Sequence, residues 1–175
     1  MGKAHRINEI LKKYEVRRHE KDLSEHLKEI ERARESFPHE EELALYAGLL
    51  GSWEEAPEEE RVVLMPALNE GEDLPFVYPF GVLSLDWPGL SDSCIGVLRE
   101  RGWNICFLKG EVIGHKGKNL GVVLIGVEVS SPEALKRLKE ERWEIRESLR
   151  RSSLGSLAKT YLLTDEARKR DIYDK

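Results

Sequence analysis

Asp86-Trp87-Pro88-Gly89-Leu90 decides how this chain is read. The five residues stand between a β-rich run, residues 80–85, and a helical pattern that ends at Arg101-Gly102. A strand that stops at a Pro-Gly bend and feeds straight into a helix leaves the first backbone N–H groups of that helix without intrahelical partners. Such groups receive small polar or anionic ligands. The turn is therefore the candidate site. The plainer alternative is a tight strand-to-helix turn made of its default residues, Gly and Pro.

Downstream of the turn, Ser91 is placed to cap a helix over residues 92–101, and Gly102 closes it. Arg99 and Arg101 fall in the last turn, where the helix dipole favours positive charge. Residues 103–113 and 120–129 read as two strands joined by Gly114-His115-Lys116-Gly117-Lys118-Asn119, a hairpin signal. Pro132 follows Ser130-Ser131 and opens a second helix over residues 133–151. Residues 158–163 suit a fourth strand, and Thr164-Asp165-Glu166 a short C-terminal helix. Strand, helix, strand, strand, helix, strand predicts an α+β fold, the ferredoxin-like βαββαβ arrangement, with a four-stranded antiparallel sheet and both helices on one face. In Val122-Val123-Leu124-Ile125-Gly126-Val127 both alternating faces are apolar, so the second face of the sheet must be covered. The N-terminal helices, a second copy of the sheet, or both can supply that cover.

Upstream, residues 3–36 are highly charged and lack proline, which predicts helix. Ile7, Ile10, Leu11 and Tyr14 make one apolar stripe, and Leu23, Leu27 and Ile30 make a second, out of register with the first. Either one helix bends near residues 15–21 or two helices meet there. Pro38 and the acidic Glu40-Glu41-Glu42 start a further helix with a broad apolar surface, and Gly51 is its expected stop. Pro57-Glu58-Glu59-Glu60 repeats the same start chemistry before Arg61-Val62-Val63-Leu64-Met65, which is expected to be helical as far as Pro66. Residues 1–68 thus form a helical N-terminal region, residues 69–79 a connector rich in Gly and Pro, and residues 80–175 the sheet-bearing domain.

Composition narrows the functional classes. Charged residues make up 35 % of the 175, glutamine is absent, and cysteine and methionine number two each, a balance that resembles heat-adapted proteins. A net charge of -5 argues against a dedicated nucleic-acid binder, which needs a basic surface to neutralise phosphates. Cys94 and Cys106 are too few for a disulfide framework and read as two buried thiols in a reducing compartment. No apolar run approaches the ~20 residues of a membrane span, and Met1 leads into a charged segment that does not read as a signal peptide. A cytoplasmic protein with no membrane partner is expected.

The turn together with Val97-Leu98-Arg99-Glu100-Arg101-Gly102-Trp103-Asn104-Ile105 resembles the signature of the ACT domain, a small regulatory module. In that family an Asp-x-Pro-Gly-Leu turn ends the first strand, and the helix closes with Leu-x-x-x-Gly-x-Asn-Ile entering the second. The resemblance covers about residues 80–163. It implies binding of a small molecule, usually an amino acid, at the first strand-helix turn near a homodimer interface. Carried over, the ligand-binding residues are Asp86, Trp87, Pro88, Gly89, Leu90, Asn104 and Ile105. Gly89 admits a ligand close to the backbone, and Asn104 offers both a donor and an acceptor. A regulatory, ligand-sensing protein is expected, with the N-terminal helices docking a protein partner or extending the dimer. The alternative is a ligand-free dimerisation and assembly module.

Other constellations carry less. His19, Asp22 and His26 fall at helical spacings, but the two histidines are about 10 Å apart at a rise of ~1.5 Å per residue, so a solvated helix face is expected. His115, beside Lys116 and Lys118, reads as part of a mobile basic hairpin loop. The acidic runs at residues 40–42 and 58–60 follow prolines at helix starts, where the dipole explains them. No phosphate loop, dinucleotide fingerprint or nucleophile elbow is present. Cys94 has no histidine near it in sequence to act as a base. No catalytic residue, metal or cofactor is expected.

Overall fold

A computed structural model describes residues 2–16, 18–33, 40–55, 61–68 and 73–153. Strands β1 (Arg61–Leu64), β2 (Phe76–Leu85), β3 (Ile105–His115) and β4 (Lys118–Val129) form one sheet in the order β1-β2-β4-β3. Every neighbouring pair is antiparallel. Five helices pack on it: α1 (Lys3–Leu11), α2 (Glu20–Ala33), α3 (Glu40–Glu55), α4 (Leu90–Glu100) and α5 (Pro132–Ser152). The chain is α+β, and among the described residues no helix is long and apolar enough to cross a membrane.

The doubly apolar strand is β4, and it has protein on both sides. Val123, Ile125 and Val127 share a core with Tyr78, Phe80, Val82, Leu98 and Leu138, which places α4 and α5 together on one face. Leu120, Val122 and Leu124 share the other core with Leu83, Ile7, Leu11, Leu43 and Leu49, so α1 and α3 cover the second face. Of the covers considered, the N-terminal helices supply this one. Burying a Leu or Ile side chain contributes about 1.5–3 kcal/mol, so a strand apolar on both sides stabilises both layers at once.

Several elements differ from expectation for local reasons. Residues 61–64 form strand β1, not helix: Val62 and Leu64 pack toward α1–α3 while Val63 packs toward α4 and α5, the two-residue alternation of a strand. The expected fourth strand, residues 158–163, and the C-terminal helix after it lie outside the described residues. The fourth strand observed comes from the region expected to be helical, and it pairs with β2 from Arg61↔Ser84 to Leu64↔Gly81. Strand β2 starts at Phe76, inside the expected connector, and Pro79 is tolerated because β1 pairs with β2 only beyond it.

The junction at residues 12–19 resolves into two helices, with a short 3-10 turn (Lys12–Tyr14) and Glu15 at φ 60 between α1 and α2. Helix α3 runs through Gly51 to Glu55. Gly51 lies mid-helix because Arg18 crosses it closely, and a Cβ there would collide with the Arg18 guanidinium. The hairpin is tighter than expected, a two-residue turn at Lys116-Gly117 with φ 49 and 78, as in a type I′ turn. His115 therefore belongs to β3 and is 2 % exposed, and His26 is 5 % exposed. Neither is the solvated histidine that spacing suggested. Cys94 is buried as expected, whereas Cys106 is exposed on β3, at the register shift between Ile105 and Phe107.

Candidate functional site

At the end of β2 the chain turns through Asp86-Trp87-Pro88 into α4. Gly89 is the N-cap residue at φ 96, a conformation that costs an L-residue about 1–2 kcal/mol, and no side chain caps the helix. Ser91, expected as the cap, lies one residue inside α4. The turn is held by Leu90 N–H donating to Trp87 O at 3.2 Å and Asp86 N–H donating to Asn119 O at 2.9 Å. The C-terminal end of α5 docks beside it. Its last carbonyls, orphaned by helix geometry, accept from Ser93 Oγ (to Ser152 O, 2.9 Å), Ser84 Oγ (to Ser153 O, 2.5 Å) and Trp87 Nε1 (to Ser153 O, 3.4 Å).

A cleft of about 280 Å³ opens at this turn, lined by Asp86, Trp87, Gly89, Leu90, Ser91 and Asp92, and across the sheet by Gly110, Glu111, Val112, Gly121, Val122 and Val123. Small-molecule pockets run from roughly 300 to 1,000 Å³, so this one suits a small ligand. Its floor depends on two glycines in adjacent strands. A Cβ on Gly121 would lie 2.5 Å from Leu90 Cδ2 and 3.2 Å from Asp86 Oδ1, and one on Gly110 would lie 2.7 Å from Ser91 Oγ. The start of α4 sits low on the sheet here, with Leu90 and Ser91 occupying the space that two Cβ atoms would need. Three carboxylates, Asp86, Asp92 and Glu111, line the cleft, and among the described residues no lysine or arginine lines it. The N-terminal end of α4 adds partial positive charge at the same place.

Of the residues assigned to the site from sequence, Asp86, Trp87, Gly89 and Leu90 line the cleft, and Pro88 lies in the turn between them. Asn104 and Ile105 do not join them. They lie past the other end of α4, a helix about 16 Å long at its 11 residues. There Asn104 Nδ2 donates to Glu128 Oε2 at 2.6 Å, Asn104 O accepts from Glu128 N–H at 2.9 Å, and Ile105 pairs with Val127. Gly110 and Gly121 were missed. Each interrupts an otherwise side-chain-rich strand, and glycine inside a strand marks a close approach of another part of the chain.

Comparison of the chain with protein-family models, with curated proteins and with solved structures gave no match.

Proposed function

We propose that this protein is a ligand-sensing regulatory module of the ACT type that holds an amino acid in the cleft at the β2–α4 turn. In this reading β2-α4-β3-β4-α5 is a ferredoxin-like unit in which β1 takes the fourth strand's place in the sheet. The observation that carries the proposal is the pairing of opposite charges in a cleft too small for a large ligand. The N–H groups of Ser91 and Asp92 at the start of α4 suit a carboxylate, while Asp86, Asp92 and Glu111, which line the same cleft, suit an ammonium group.

A second copy of the chain completes the proposal. Among the described residues β3 is one of the sheet's two edge strands, and Leu108 and Val112 on it are 45 % and 51 % exposed. Val112 also lines the cleft, so pairing of two β3 edges would bring two clefts to one interface. The same edge favours the second reading, an assembly module that dimerises without a ligand. A thermal-shift panel of the twenty amino acids on the full chain separates the two. The sensing reading predicts that one or a few raise Tm with saturation, and that Asp92→Lys, an exposed change that reverses one of the carboxylate charges lining the cleft, abolishes the shift while the variant still unfolds cooperatively. A flat panel from a protein that sediments as a dimer supports assembly instead.

A further inference from the structure

We propose that His26, Glu54 and His115 form a binding site for a divalent transition-metal ion of the class that prefers imidazole ligands, with zinc as the representative. The site is remote from the cleft and independent of the function proposed there. His26 Nε2 lies 3.1 Å and His115 Nε2 lies 2.9 Å from Glu54 Oε1, and one ligand atom from each residue lies within 4.8 Å of the other two. A tetrahedral ion at ~2.0–2.2 Å from such donors holds them roughly 3.4 Å apart, so the three atoms need only small movements to share one. Three elements meet here: α2 supplies His26, α3 supplies Glu54, and the end of β3 supplies His115. A bound ion would tie the helical layer to the β3–β4 hairpin.

The surroundings favour a transition metal over a hard cation. Two imidazoles and one carboxylate suit zinc, cobalt or nickel, whereas calcium and magnesium require mostly oxygen ligands. The site is sheltered: the His26 and His115 side chains are 7 % and 1 % exposed, and Trp53 packs edge-on against His115 with ring centroids 5.8 Å apart.

Two cations stand where the ion would bring its charge. Lys116 Nζ is 3.0 Å from Glu54 Oε1 on a side chain that is 68 % exposed, so it can swing into solvent. Arg18 Nη2 lies 2.5 Å from His26 Nδ1, and with arginine as the donor the His26 proton sits on Nε2, facing Glu54. Ligation through Nε2 moves that proton to Nδ1, so Arg18 releases this nitrogen and keeps its second bond, to Ala47 O. Loading is thus a competition between the ion and two resident positive charges.

The test uses the full chain, stripped with a chelator and dialysed against Zn²⁺, with Co²⁺ absorption as the spectroscopic readout. One ion per chain is expected, together with cobalt d–d bands of a four- or five-coordinate nitrogen-oxygen site. Glu54→Gln and His115→Ala should weaken Zn²⁺ binding by more than the ~10–100-fold that loss of an outer-shell partner costs. Lys116→Ala, an exposed change that leaves all three ligands in place, should tighten it. Absence of stoichiometric Zn²⁺ binding overturns the proposal and leaves a hydrogen-bonded His-Glu-His network. So does binding that Glu54→Gln and His115→Ala leave at parental strength, or that Lys116→Ala fails to tighten.

Discussion

Glu141 joins α5 to the far end of α4. Its carboxylate accepts from Arg137 Nε at 2.6 Å and Trp103 Nε1 at 3.4 Å, with Arg101 Nη1 at 3.6 Å. Burial acts to raise its pKa, but the Arg137 and Trp103 hydrogen bonds and the two arginine charges outweigh this, and the pKa falls below the ordinary glutamate value. A carboxyl depressed in the folded state contributes stability that is fully present above its unfolded pKa, near 4.5, and is lost as pH falls through the folded value. Glu141→Gln is expected to cost roughly 1–2 kcal/mol at pH 7 in urea unfolding. The gap to the parent should close as pH falls below 4.5 and through the depressed folded value; a gap independent of pH would show that the carboxylate's charge is not what acts. At this scale the sequence was most legible where backbone geometry restricts residue type. Gly89 and Gly102, read as turn and helix stop, sit at φ 96 and 77. It was least legible for His26 and His115, whose burial follows from packing across three elements that no local spacing encodes.

Among the elements, β4 carries the architecture, because its successive residues belong to different cores. Leu124 faces the N-terminal helices and Ile125 faces α4 and α5, each at most 1 % exposed. Leu124→Ala and Ile125→Ala are therefore each expected to cost about 2–5 kcal/mol by chemical denaturation. A sheet with one wet face would lose that much at only one of the two positions. The unbroken apolar run of β4 makes it legible as a strand covered on both faces from its residues alone. Strand β1 was not legible, because Glu58-Glu59-Glu60 ahead of it resembles the acidic start of α3. Four residues are too few to separate a period of two from one of 3.6. The acids that open α3 do more than complement its dipole: Glu40 pairs with Arg6 at 2.8 Å, Glu41 with Lys13, and Glu42 with Lys109 at 2.8 Å. The last pair bonds α3 directly to β3.

In the molecule as a whole, the sheet separates a helical layer of α1–α3 from the α4–α5 layer, and the cleft opens at the sheet's edge beside the start of α4. The strand-turn-helix lining of the candidate cleft was readable because its residues are contiguous in sequence. The glycine floor was not, since Gly110 and Gly121 reach the turn only through the pairing of β3 and β4. The resemblance carried Asn104 and Ile105 into the site through sequence spacing, and α4 holds them at its opposite end. In the proposed function the cleft receives an amino acid. Its most direct test is the ¹H–¹⁵N spectrum of the full chain with and without an equimolar mixture of the twenty amino acids. Shifts that saturate and centre on the amides of residues 86, 87, 89–92, 110–112 and 121 are expected. An unchanged spectrum, or shifts centred on Asn104 and the far end of α4, would contradict it.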